Sequence, residues 1–330
     1  MNIYILGLLF LFMYNIFNGF FNALGDSKTP LFLLVGSSLG NIILDVIFVK
    51  NLNMGVAGVA WATFIAQGLS AVLAVIIFIR RLKNIETNGR VSLFSWQMLG
   101  KISRIAIPSI LQQSSISIGN IVIQSVVNGY GAAVIAGYSA AIRMNVFAVS
   151  CFTTLANGLS GFVAQNIGAG KRDRVLQGYR EAIPMVLLVA VPFVCLFFWG
   201  DKMLLGLFID SGSAVAAGSE FLRVTAFFYL IIAVKVMSDA VLRGAGVMGC
   251  FMIATTLDLV LRVSCSLLLS ERMGTVGIWL GWPIGWSTMA ILSGIFAYRK
   301  VFRISSEMVQ GHCKHETVTY GQSKVNVSNP

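Results

Sequence analysis

The sequence predicts an all-α polytopic membrane protein with nine transmembrane helices. Three observations carry this expectation. Of 330 residues, 57% are hydrophobic and 11% are charged, whereas a soluble domain carries about 25% charged residues and could not bury so much apolar surface. Hydrophobic runs long enough to cross roughly 30 Å of hydrocarbon, at about 1.5 Å per residue, recur between short polar breaks. The 24 Lys and Arg residues sort sharply when loops are assigned alternately to two sides: 17 on one, 3 on the other and 4 within spans.

The spans are expected at 3–22, 31–49, 55–79, 104–128, 133–164, 182–199, 216–241, 251–269 and 275–298. Each should be helical, because backbone groups in lipid need partners within their own segment and the runs lack the alternation of barrel strands. The first begins almost at Met1 without the short apolar segment and cleavage site of a leader, so that span itself is expected to direct insertion. The fifth stays apolar up to the polar stretch Gly168 to Arg174 and can continue past the membrane surface. By the positive-inside rule the basic side is cytoplasmic. Its largest cluster is Arg80, Arg81, Lys83, Arg90, Lys101 and Arg104, followed by Lys171, Arg172, Arg174 and Arg180. The net charge of +11 thereby has a topological origin, and nucleic-acid binding is not expected, since no soluble module is there to display these residues.

The two ends of the chain repeat one another. Ala23-Leu24-Gly25-Asp26, Met54-Gly55-x-x-Gly58 and Arg80-Arg81 are echoed by Gly244-Ala245-Gly246, Met273-Gly274-x-x-Gly277 and Arg299-Lys300, at an offset of 221 for Gly25 and Gly246 and 219 for Gly55 and Gly274. Both copies run in the same direction relative to the basic side, as in halves related by an axis along the membrane normal. The first three spans then correspond to the last three, and spans four to six have no upstream counterpart. A complete twelve-helix architecture would place three helices before Met1. The expected organisation is a remainder of the first lobe at 1–82, a cytoplasmic linker at 83–103, a second lobe at 104–303 and a disordered cytoplasmic tail at 304–330.

Ionisable groups inside spans are costly and are functional candidates by default. Asp45 follows Asn41 by one turn, so both share a helix face, and Thr63 on the next span can supply a third oxygen. Such a cluster suits Na+, or a carboxylate that takes up a proton; the alternative is an inert helix-end aspartate. Beyond this Na+ possibility no metal site is expected. Lys235 with Asp239 and Asp258 with Arg262 are each spaced i, i+4, which permits neutral ion pairs as readily as a role in coupling or substrate binding. Arg143 has no local acidic partner. Gln112, Gln113, Asn120, Gln124 and Asn128 follow Pro108 on the fourth span, with 113, 120, 124 and 128 roughly on one stripe, suited to lining a cavity or to hydrogen bonding between helices.

Other chemistry is not supported. Gly168-Ala169-Gly170-Lys171 lacks the full phosphate-loop spacing, since Gln165 and Arg172 occupy the positions of the first glycine and the hydroxyl. The five scattered cysteines read as small apolar fillers. His312, Cys313, His315 and the acceptor triplet at Asn326 lie in the polar tail. With no other histidines, a Ser/His/Asp arrangement is impossible, and no enzyme activity is expected.

Asn22-Ala23-Leu24-Gly25-Asp26-Ser27-Lys28-Thr29-Pro30, the run from Ala156 to Arg172 (ANGLSGFVAQNIGAGKR) and Leu242-Arg243-Gly244 together resemble signatures of the multidrug and toxic compound extrusion (MATE) family, in the matching order up to about residue 303. The resemblance implies that the nine spans are the fourth to twelfth of twelve helices. It implies a secondary antiporter of the plasma (inner) membrane that exports drugs or organic cations in exchange for H+ or Na+, with no cofactor, as a monomer with a cytoplasmic C-terminus. Asn41, Asp45 and Thr63 match by position three residues of the family's N-lobe ion site; the first-helix acid that completes it has no counterpart in this sequence. The region of the seventh-helix glutamate offers Gln112, Gln113 and serines, so a C-lobe Na+ site is not implied. The rival readings are a flippase of the same wider fold handling lipid-linked sugars, and a non-transporting remnant or partner subunit.

Overall fold

The computed structural model describes residues 2–83 and 94–302. Arg90, His312, Cys313, His315, Asn326 and the expected tail lie outside those residues, as does much of the expected linker. Eleven α-helices, α1 to α11, and no strands are present among the described residues, which fall into two compact units divided between Ser95 and Trp96.

The first unit holds α1 (Asn2–Ala23), α2 (Lys28–Val46) and α3 (Gly55–Leu82). A π-helical turn, Ile47–Asn51, extends α2 from two residues after Asp45. Helix α3 packs on both α1 and α2, which scarcely touch each other. Phe78 of α3 sits among Phe17, Phe20 and Phe21 of α1, with ring centroids 5.1–6.1 Å apart. Much of α1 and α2 presents apolar side chains outward, Phe12 and Phe32 among them, as a hydrocarbon solvent allows.

The corner between α1 and α2 is set by Gly25, whose φ of 77° only glycine adopts without strain. The Asp26 amide donates to the Phe21 carbonyl at 2.9 Å, closing the end of α1. The Asp26 carboxylate then accepts from the Thr29 hydroxyl (2.8 Å) and amide (3.1 Å) and meets Arg81 at 3.0 Å, tying in the far end of α3. The Thr29 hydrogen bonds, with Arg81 assisting, hold this carboxyl below its usual range.

The second unit holds α4 (Trp96–Asn128), α5 (Ala132–Gly168), α6 (Asp173–Trp199), the short α7 (Asp201–Gly206), α8 (Gly212–Thr225), α9 (Phe228–Gly244), α10 (Met248–Met273) and α11 (Thr275–Ala297), the last continued by a π-helical turn, Tyr298–Phe302. Its core is aromatic: Phe152, Phe197, Phe221, Tyr229 and Trp279 are each at most 1% exposed. Helix α5 packs on α6, α8 and α9, and α11 packs on α8, α9 and α10. Gly277, Gly281 and Gly285 form one face of α11 through which α10 approaches closely: a β-carbon at 281 would sit 2.7 Å from the Arg262 carbonyl, and one at 285 would sit 2.7 Å from Asp258 Oδ1.

The helical arrangement of the first unit recurs at the end of the second. Gly246 has φ 72°, and the Val247 amide donates to Leu242 O at 2.9 Å, reproducing the Gly25 corner. Gly55 and Gly274 pair likewise, with φ of 55° and 61°. Helix α11 packs on α9 and α10, which touch little, as α3 does on α1 and α2.

Among the described residues, seven helices are long and apolar enough to cross a membrane, and the bent pair α8 and α9 makes an eighth if the two count as one span. Three differences from the sequence expectation stand out. The span expected at 216–241 is broken, α8 meeting α9 at 58°. Thr225 at the break donates to the carbonyls of Phe221 (2.8 Å) and Leu222 (3.3 Å), which caps the end of α8. The fourth expected span is helical, but its polar stripe keeps α4 outside the apolar set. That helix also starts at Trp96, so residues 96–103, expected in the linker, are helical. Helix α5 does run past the expected boundary, its 37 residues reaching about 55 Å at 1.5 Å per residue.

Candidate functional site

Six buried side-chain polar atoms lack a hydrogen-bond partner within the protein among the described residues: Asn41 Nδ2, Asp45 Oδ1, Arg243 Nε, Asp258 Oδ1, Arg262 Nε and Trp282 Nε1. Buried polar groups are normally satisfied, and each exception calls for an explanation. These six fall on two sites, one in each unit.

In the first unit, a cavity of about 220 Å³ lies among α1, α2 and α3, lined by Tyr14, Ser37, Asn41, Thr63, Gln67 and Ser70 among others. It brings Asn41 and Thr63 to one space. The Thr63 hydroxyl donates to Val59 O at 2.9 Å, which leaves its oxygen lone pairs free to accept. Asp45 does not line this cavity; it lies half-buried one turn beyond Asn41, between the cavity and the π-helical turn. It is the sole carboxylate on α1–α3. Single π-turns within α-helices recur at functional sites, because the extra residue re-aims neighbouring side chains. Tyr14, Ser37 and Gln67 were not singled out in the sequence; no charge or motif marks them.

In the second unit, an open cavity of about 410 Å³ is lined by α4, α5, α9, α10 and α11. It collects most of the sequence candidates of this region: Gln113, Asn120, Lys235, Asp239, Asp258 and Arg262. Gln124 and Arg143 do not join them. Gln124 instead donates to Asn128 at 3.0 Å along the exposed part of α4, and Arg143 is exposed on α5.

The charges are wired differently from the spacing. Lys235 Nζ lies 3.1 Å from Asp239 Oδ2, the expected pair within α9, and 3.8 Å from Asp258 Oδ2 on α10. One ammonium thus serves two carboxylates. The second oxygen of Asp239 accepts from Ser293 of α11 at 2.6 Å. Asp258 takes its ion-pair partner from α9, not from Arg262 on its own helix. The Arg262 guanidinium lies over the Trp282 ring, 4.4 Å from its centroid, a placement that helps hold a cation away from water. Arg243, noted in the sequence only as part of the Leu242-Arg243-Gly244 signature, is a further cavity cation, at a helix end where positive-inside bias already accounts for a basic residue. Its side chain lines the cavity, donates to Asn157 Oδ1 at 3.2 Å and lies 5.7 Å from the Phe251 centroid.

Outside the spans, Asp201 accepts from Ser219 and pairs with Arg223 at 2.7 Å. Burial pushes this carboxyl up, but the bonds from Arg223 and Ser219 outweigh it and hold it below the usual range. Glu220 accepts from Thr275 (2.7 Å) and from the buried Trp279 indole (2.9 Å), joining α8 to α11.

Membrane-length helices whose polar residues turn inward onto cavities define a polytopic transporter-type membrane protein. The MatE family model matches residues 108–268, and the model of the lipid II flippase MurJ matches residues 1–98. The probable multidrug resistance protein YpnP of Bacillus subtilis (strain 168) is 31% identical over 304 residues, 92% of this chain and 67% of that protein. The multidrug export protein MepA of Staphylococcus aureus (strain bovine RF122 / ET3-1) is 23% identical over 307 residues, covering 92% and 67%. A crystal structure of MATE in complex with MaL6 superposes with a TM-score of 0.83 at 23% identity, covering 92% of this chain and 69% of that one. The chain belongs to the MATE family, whose members are transporters and not enzymes. It spans about two thirds of the length of the relatives it matches.

Proposed function

We propose that this chain works as a secondary antiporter of the cytoplasmic membrane that exports drugs or organic cations in exchange for H+ or Na+, with Asp45, Asn41 and Thr63 as the coupling group. The observation that carries the reading is the pair of orphaned polar atoms, Asp45 Oδ1 and Asn41 Nδ2, one turn apart on α2. A carboxylate oxygen with no protein partner is a ready ligand for Na+ or a site for a proton. The likeness to multidrug resistance proteins supports drugs as cargo. No prosthetic cofactor takes part; the gradient is the energy source. Ion binding moves the equilibrium between transporter states only by its difference in affinity for them, so removing the Asp45 charge removes the coupling.

The basic bias of alternate loops supports a cytoplasmic C-terminus, and we expect a monomer. The test is ethidium efflux from cells without their own exporters, with and without an uncoupler, comparing the chain, a version extended by a relative's upstream helices, and Asp45→Asn in each. Efflux that stops with uncoupler and with Asp45→Asn is the expected result. Equal efflux by Asp45→Asn would take Asp45 out of the mechanism.

The MurJ match over residues 1–98 favours a second reading, a flippase for lipid-linked sugars. That reading expects lipid translocation in reconstituted vesicles and no uncoupler-sensitive dye export.

A further inference from the structure

We propose that the cavity of the second unit is an anion-accepting site that holds the carboxylate or sulfonate of a drug-sized aromatic amphiphile against Arg262 and Arg243. The inference rests on the export reading for its frame but gives this cavity an anionic cargo in place of an organic cation, and it is argued from three observations.

The first is charge. Lys235, Arg243 and Arg262 face Asp239 and Asp258 around one space, leaving one formal positive charge in excess. The second is the way those charges are spent. Both carboxylates turn to Lys235, and Asp239 is completed by Ser293. Asp239 has both oxygens occupied, and of the two carboxylates only Asp258 Oδ1 is left without a partner. The two guanidiniums are held instead by aromatic faces, Arg262 on Trp282 and Arg243 on Phe251. An aromatic face restrains a cation without neutralising it, so the positive potential remains available to a ligand.

The third is orphaned donors. Arg262 is 5% exposed, yet its Nε has no acceptor; Arg243 Nε and Trp282 Nε1 are in the same condition, and all three residues line this cavity. A guanidinium offers five donors in a planar fork that matches carboxylate geometry and accepts nothing. Three unsatisfied donors outnumber the single unsatisfied acceptor, Asp258 Oδ1, around a net positive space, and the balance favours a ligand that accepts. The remaining wall supplies Trp286 and the aliphatic Ile232 and Val236 for an apolar body. A volume of about 410 Å³ falls within the range of small-molecule pockets.

The test uses the full chain in lipid nanodiscs and two probes with one aromatic body and opposite charge, naphthalene-2-sulfonate and 2-naphthyltrimethylammonium. Binding is read from quenching of tryptophan fluorescence, which Trp282 and Trp286 place at the site. The sulfonate should bind at least about tenfold more tightly than the ammonium. Arg262→Gln should cost the sulfonate about tenfold or more, as expected for a hydrogen bond to a charged group, while leaving the ammonium unchanged or tighter. Arg262→Lys keeps the charge without the planar fork and should fall between. Equal or tighter binding of the ammonium to the unmodified chain, or no saturable sulfonate binding, overturns the proposal without recourse to any variant. A folded Arg262→Gln chain with unchanged sulfonate affinity also overturns it. Sulfonate selectivity in a chain that fails the ethidium assay would keep the site and discard cation export; ethidium efflux without sulfonate binding would do the reverse.

Discussion

Replacing Lys235 by Met removes one positive charge and leaves two carboxylates in the interior. Lys235 and Asp239 are 7% and 5% exposed, so the scale of a solvated surface pair, about 0–1 kcal/mol, does not apply. Breaking a buried pair by removing one partner costs about 3–5 kcal/mol, because the surviving charge is left uncompensated. Here two survive. Ser293 still donates to Asp239 at 2.6 Å, which covers part of that loss, whereas Asp258 Oδ1 has no other partner. The expected cost therefore stays near the middle of the range, corresponding to a Tm lowered by roughly 10 °C for a unit of this size. The assay is thermal unfolding in nanodiscs, followed by intrinsic fluorescence. Its decisive arm is the triple variant Lys235→Met, Asp239→Asn, Asp258→Asn, which carries none of the three charges. If uncompensated charge is the cause, the triple variant recovers most of the loss. A Lys235→Met chain within about 1 °C of the parent, or a triple variant less stable than the single one, would refute the reasoning.

Three further outcomes are expected. Gly281→Ala should destabilise more than Gly285→Ala, since the first β-carbon meets the Arg262 backbone carbonyl and the second meets the movable Asp258 carboxylate. We expect about 1–3 kcal/mol for overpacking at 285 and more at 281, read from unfolding midpoints. Glu220→Ala removes the acceptor of the fully buried Trp279 indole. It should cost about 1–3 kcal/mol, whereas Glu220→Gln, which keeps a carbonyl acceptor, should cost less in the same measurement. Asp26 has a depressed carboxyl pKa in the folded chain, so its contribution is fully present above the unfolded value of about 3.9 and is lost as pH falls through the folded one. The stability difference between the parent and Asp26→Asn should hold from pH 7 to about pH 5 and shrink below pH 4. A difference that grows towards acid would contradict the assignment.

Composition and the length of the apolar runs sufficed for the helical membrane class. Both reflect the solvent, and a bilayer demands long apolar helices whatever the fold. The repeat was legible because Gly25 and Gly246 occupy backbone conformations that few other residues tolerate. Asp45 and Asn41 could be singled out for a similar reason: a carboxylate and an amide one turn apart within an apolar run are conspicuous whatever surrounds them. The bend between α8 and α9 was not legible, because no proline or glycine marks residues 225–228 and Thr225 bonds back to its own helix just as Thr255 does within the unbroken α10.

The same divide runs through the second cavity. Spacing along one helix named Lys235 with Asp239 correctly, since i, i+4 neighbours meet by helical geometry alone. It paired Asp258 with Arg262 by the same rule, and there contacts between helices prevailed. The close approach of α10 and α11 along Gly277, Gly281 and Gly285, and the packing that brings α9 within reach of α10, give Asp258 to Lys235 and Arg262 to Trp282. Gln124 was placed on the cavity stripe by periodicity and bonds to Asn128 instead. Local sequence encodes which charges are present and which of them share a helix face. Which oxygen meets which nitrogen across two helices depends on the approach of backbones far apart in the chain, and that was settled by packing.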